Sequence, residues 1–205
     1  MECVGTNGDE TVGRMSISSS QRKTAFAQQA RQELESLSSR GVWMTGNGFS
    51  PVVLVKGELG EAERSGGELL SGADGVALRS ALGARGYASE DFCGLACVAS
   101  PGAGDAAFEG QIPVELFREA LEALDPELVI LLDGAAIELM REAYADALAA
   151  IEDFDTAMLT PGLIAPVLGR RVLALDGFEA ALGDRAEKQR MWSYLKKIAP
   201  AGAPY

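Results

Sequence analysis

Four short apolar runs, each trailed within two residues by glycine or proline, constrain this 205-residue chain more than anything else in it. They occupy residues 52–55 (VVLV), 91–99 (DFCGLACVA), 128–132 (LVILL) and 170–175 (RRVLAL). Runs this short and this apolar read as strands buried on both faces, the signature of parallel sheets. Between and beyond them lie segments with helical signals. In SSSQRKTAFAQQARQELESLSSRG, Ser20 is an N-cap, Phe26, Ala30, Leu34 and Leu37 form an apolar stripe, and Gly41 is a stop. A helix is expected over 75–82, another in VELFREALEAL between Pro113 and Asp125-Pro126, an Ala-rich one over 135–151, and a closing one over 186–198. WMTGNGFSP reads as a loop, and DFDTAMLTPG as an excursion to the surface. Strands alternating with helices predict an α/β fold, a three-layer α/β/α sandwich with a central four-stranded parallel sheet. Residues 1–17, polar and rich in Gly, Ser and Thr, are expected to be a disordered extension, with 18–205 a single domain.

In such folds ligands bind at the carboxyl ends of strands, where loops and helix N-termini converge. Charge narrows the choice of ligand. The chain carries 18 basic and 30 acidic residues, a net charge of −12, which opposes duplex binding driven by Lys and Arg on phosphates. Only residues 170–197 are locally basic, through Arg170, Arg171, Arg185, Lys188, Arg190, Lys196 and Lys197, a hint of an anionic partner or simply a solvated helix face. Histidine is absent, which excludes a histidine-assisted nucleophile and any histidine-bearing zinc site. Cys3, Cys93 and Cys97 form no even framework and read as reduced thiols. Cys93 and Cys97, four apart on a strand, face one side and read as small buried residues. No apolar run spans a bilayer and the first residues lack a signal core, so no membrane partner and a cytoplasmic location are expected.

The densest cluster of glycines follows the first strand, in KGELGEAERSGGELLSGADG. It lacks the GK[ST] ending of a P-loop and the G-x-G-x-x-G spacing of a dinucleotide site. It resembles the first motif of the uracil-DNA glycosylase superfamily, most closely the family-four branch. VKGELG stands for the turn, EAERSG for the acidic stretch, and GELLSGADG for the glycine-spaced end before a helix. PELVILLDGAA is similar to the superfamily's P-x-x-I-x-x-L-G strand and turn. VLALDGFEAAL with KQRMWSYLKKI is similar to its closing strand, loop and tryptophan-bearing helix. The similarity runs from about residue 52 to 198.

The resemblance implies a uracil-DNA glycosylase-like sandwich acting in base-excision repair, with a glycine-rich turn that admits a flipped base. It also implies four chemical positions, and most carry mute residues here. A gap-free match puts Gly57 where a carboxylate positions water, and a one-residue slide supplies Glu58 instead. Leu70 takes the place of the stacking aromatic, Leu95 that of the base-reading asparagine, and Gly177 that of the histidine. Gly60, Glu61 and Gly72 complete the expected base-binding turn. Losing one anion stabiliser alone typically costs about 100- to 1000-fold in rate. The branch's iron–sulfur cluster needs four cysteines, and three exist, so no cofactor and no metal are expected. Of the acids Glu58, Glu61 and Glu63, Glu58 or Glu61 reads as a water-activating base, and all three read alternatively as acids complementing a helix N-terminus.

Three functions follow as expectations. The first is a catalytically degenerate, glycosylase-like protein that binds a nucleobase, nucleic acid or protein partner through its pocket or through segment 170–197. The second is an active glycosylase of altered base specificity in which Glu58 or Glu61 activates water. The third is a small-molecule enzyme whose glycine turn cradles an anion.

Overall fold

The structure is a computed structural model that describes residues 19–101 and 110–200. The expected N-terminal extension, 1–17, and most of the SPGAG loop lie outside the described residues. In chain order the elements are α1 (Ser19–Ser39), β1 (Val42–Gly46), β2 (Val52–Lys56), α2 (Glu61–Arg64), α3 (Ala73–Gly83), β3 (Phe92–Ala99) and α4 (Val114–Leu124). There follow β4 (Leu128–Leu131), α5 (Gly134–Ala143), α6 (Ala145–Ala149), α7 (Phe154–Ala157), β5 (Ile164–Val167), β6 (Arg170–Ala174), α8 (Phe178–Ala181) and α9 (Arg185–Leu195).

The strands form one six-stranded sheet in the order β1-β3-β2-β4-β6-β5. β3, β2, β4 and β6 run parallel, while β1 pairs antiparallel with β3 and β5 antiparallel with β6. This overturns the expectation of a four-stranded, purely parallel sheet: the sheet is mixed, and two further strands close its edges. Both lacked the apolar-run signal for a physical reason. β1, VWMTG, is only partly buried and ends on a glycine, so its composition resembles the loop that follows. β5, IAPV, contains Pro166, whose missing N–H is tolerated at a sheet edge and whose ring is exposed there. The expected helix over 135–151 is likewise two helices, parted at Tyr144, whose φ of −123° is not helical.

Strand alternation divides the core between the two faces of the sheet. Val53, Val55, Cys93, Leu95, Cys97, Val129, Leu131 and Val172 face the layer of α1, α4 and α5, where they meet Leu37, Phe117, Leu121 and Met140. Val52, Leu54, Phe92, Leu128, Ile130 and Leu173 face the layer of α3, α8 and α9, where they meet Leu78, Leu82, Phe178 and Met191. The sheet is thus packed on both sides, and its two central strands, β2 and β4, are buried throughout.

Candidate functional site

The alternation that buries Val52 and Leu54 under α3 also sends Lys56, the last residue of β2, to that side, with only 2% of its surface exposed. A buried ammonium must be paired, and three carboxylates converge on this one. Its Nζ lies 2.5 Å from Asp74 Oδ2 at the start of α3, 3.0 Å from Glu63 Oε1 on α2, and 3.0 Å from Glu179 Oε2 on α8. All three donors of the ammonium are therefore used. Burial alone would lower the Lys56 pKa, but the bonds to Asp74, Glu63 and Glu179 outweigh it and hold the pKa above the ordinary lysine value. Lys56 is thus fixed as a cation, and serves neither as a base nor as an amine nucleophile.

One of these carboxylates shapes the turn as well. Glu63 accepts the N–H of Gly60 at 2.8 Å and the N–H of Leu70 at 3.0 Å. On the other side of the turn, Asp133 caps α5 by accepting from Ala136 N, and its second oxygen accepts from Gly57 N and Glu58 N, all at 2.9 Å. The glycines of the turn answer to these contacts. A Cβ on Gly57 would stand 2.5 Å from Ala135 Cβ, and one on Gly60 2.5 Å from Glu179 Oε1 and 2.8 Å from Glu63 Oε2. Backbone must come this close to the protein's own carboxylates and to α5, which only glycine permits.

Over the cluster opens a cleft of about 360 Å³ at the carboxyl ends of β2, β4 and β6. Its walls carry Glu58, Glu61, Asp74, Asp133 and Glu179 against Lys56 and Arg64, with Leu59, Leu132, Gly177 and Phe178 supplying apolar surface. Glu58 and Glu61 are exposed, and neither carboxylate has a partner among the described residues. Asp74 Oδ1 is buried and unpartnered as well.

Of the residues singled out from sequence, the structure gathers Glu58, Gly60, Glu61 and Gly177 at this cleft. Gly57 lies beside it with its N–H turned onto Asp133. Gly72 is the N-cap of α3. Leu70 is buried in the core beneath α3, with a left-handed φ of 60°. Leu95 is fully buried on the opposite face of the sheet, among the side chains of α4 and α5. Sequence reasoning passed over Lys56, Asp74 and Glu179. The one available signal was a lysine closing an otherwise apolar strand, since a cation there must either snorkel or be paired.

The basic segment 170–197 is dispersed. Arg170 is buried, bound to Glu122 at 2.7 Å and to Asp125 at 3.0 Å. Arg171 donates to Ala199 O, Lys197 to Gly162 O, and Arg190 pairs with Glu187. No helix of the described residues is long and apolar enough to cross a membrane. Among the described residues no group of three or more Cys, Asp or Glu is placed to hold a metal ion. The thiols of Cys93 and Cys97 are buried on strand β3, and burial pushes the pKa of Cys93 up to about 12 and that of Cys97 upward too. No protein-family model matches the chain, and no curated protein matches it significantly.

Proposed function

We propose that this protein works by binding, holding a small nitrogen-bearing ligand of the nucleobase type in the cleft over Lys56, without breaking a glycosidic bond. One observation carries the reading: among the described residues Lys56, the cation at the base of the cleft, is spent on the protein's own carboxylates, and apart from Arg64 at the rim the open charged groups are acceptors. Glu58, Glu61 and Glu179 line the walls with carboxylate oxygens, and Phe178, Leu59 and Leu132 offer apolar contact. Acceptors of this kind suit ring and exocyclic N–H groups and repel phosphate. Hydrolysis of the glycosidic bond needs a donor to stabilise charge on the departing base. Lys56 is already saturated, Gly177 brings no side chain, and the one open donor, Arg64, stands exposed at the rim rather than at the floor. The resemblance of VKGELG, PELVILLDGAA and VLALDGFEAAL to the glycosylase motifs supports a base as the ligand.

A second reading rests on Glu58 and Glu61, whose unpartnered carboxylates at the cleft could activate water in a glycosylase of altered base specificity. One set of measurements separates the two. The purified chain is titrated with uracil, cytosine, adenine and hypoxanthine by calorimetry, and incubated with uracil-, hypoxanthine- and xanthine-containing oligonucleotides. Binding of a free base, weakened by Glu58→Ala with Glu61→Ala and without base release, supports the first reading. Base release well above background, lost in Glu58→Ala, replaces it with the second. Neither binding nor release refutes both. Nucleic-acid contact would fall to Arg185, Lys188, Arg190 and Lys196, which are exposed along α9 and just past its end. It would appear as salt-sensitive anisotropy with a labelled single strand.

A further inference from the structure

The longest helix of the fold is only half used by it. α1 runs from Ser19 to Ser39, but it is anchored to the body through Leu34 and Leu37 in its last turns. Residues 20–26 are exposed without interruption, and Phe26 shows 69% of its surface. Over residues 19–32 the charged side chains are Arg22, Lys23 and Arg31, with no acid among them. The net charge of the whole chain is −12, so this stretch, like 170–197, runs against the balance of the chain. Phe26, within about one turn of Arg22 and Lys23, is thus an exposed aromatic beside two exposed cations.

The complementary face is present on the same chain. Glu138, Glu142 and Asp146 are exposed at four-residue steps along α5 and α6, and Glu152, Asp153 and Asp155 are exposed around α7. Arg141, the one basic residue in this region, is bound to Glu138 and to Met158 O. Beside these acids Phe154 is 73% exposed and Met158 is exposed too. A basic helix with one bare aromatic therefore has, elsewhere on the surface, an acidic helical face with another. Residues 19–32 of α1 span about 21 Å, enough to run along α5, about 15 Å long, and onto α6.

We infer that α1 is a docking arm: its basic N-terminal half lies on the acidic α5–α7 face of a second copy of this chain, and the partner's arm returns the contact about a two-fold axis. Such a reciprocal exchange closes at two copies. Its attraction is between exposed charges of opposite sign, so it weakens as salt shortens the screening length.

The test is the mass of the full chain in solution, by sedimentation and light scattering. At about 20 mM salt the particle should weigh about twice the 21.5 kDa of the chain, and at about 500 mM it should fall toward one copy. Arg22→Glu with Lys23→Glu and Arg31→Glu should weaken association at least about tenfold, and so should Glu138→Lys with Glu142→Lys and Asp146→Lys. All six positions belong to exposed or half-exposed side chains, so unchanged thermal unfolding shows that each variant still folds. Mixing the two variants supplies the decisive result. The reversed arm of one then meets the reversed face of the other, the two unaltered surfaces meet as well, and a mixed pair should re-form. A wild-type chain that stays single at low salt overturns the inference. So do an arm variant that still pairs, and two variants that fail to rescue each other. Loss of single-strand binding in the arm variant, with its mass unchanged, would likewise overturn it in favour of a nucleic-acid arm.

Discussion

Replacing Lys56 with methionine tests the centre of the site directly. The substitution keeps the length of the stem but deletes the charge that holds Glu63 and Asp74, two carboxylates with about 1% and 2% of their surfaces exposed. Breaking a buried ion pair by removing one partner costs roughly 3–5 kcal/mol, because the remaining charge stays buried without compensation. Glu179, whose side chain is 48% exposed, is screened by water and adds little. For a domain of this size 1 kcal/mol corresponds to about 2–4 °C in Tm, so Lys56→Met should lower Tm by roughly 6–20 °C. Urea unfolding at pH 7, followed by circular dichroism, gives the free energy itself. Adding Asp74→Leu removes the acid in closest contact and leaves Glu63 with its two backbone donors. This second change should restore at least about 1.5 kcal/mol of the loss. A Lys56→Met protein within about 1 kcal/mol of the parent would refute the claim that this ammonium organises the turn, α3 and α8.

Other parts of the molecule give smaller effects. Leu168, exposed at the β5–β6 turn, has a left-handed φ of 48° followed by Gly169 at 85°, so Leu168→Asn should stabilise the chain by about 1 kcal/mol in urea unfolding. In a Cys3→Ser background the buried Cys93 and Cys97 should resist a thiol reagent until denaturant is added. Because burial raises the Cys93 pKa to about 12, the stability tied to its neutral thiol is complete below about pH 8.5 and drains away as the pH climbs toward about 12. The hydrogen bond from Arg170 holds Glu122 below the ordinary carboxylate range, so its contribution is present near neutrality and lost as the pH falls through that lowered value. Glu122→Gln should flatten the acid limb of the stability curve by under about 1 kcal/mol, the side chain being well exposed.

The inner sheet was legible because burial on both faces leaves a run of apolar residues that little else produces. VVLV and LVILL could hardly be anything but strands in this setting. The edges were not, because an edge strand such as IAPV tolerates proline and exposure and so loses its pattern. The location of the cleft followed from strand direction alone, and Glu58, Gly60, Glu61 and Gly177 do meet there. Its electrostatics did not follow. Lys56, Glu63, Asp74 and Glu179 are up to 123 residues apart, and nothing local marks them as partners. The glycine turn shows the difference most clearly. Its composition suggested room for a ligand, whereas Gly57 and Gly60 are occupied by close packing against the protein itself.

The anchoring of three helices on one internal ion separates the shape of the cleft from its chemistry. Glu58, Glu61 and Arg64 stand on the rim and take no part in the knot beneath it. They can be exchanged while the floor keeps its form, so selectivity in this pocket can drift without the scaffold having to be rebuilt.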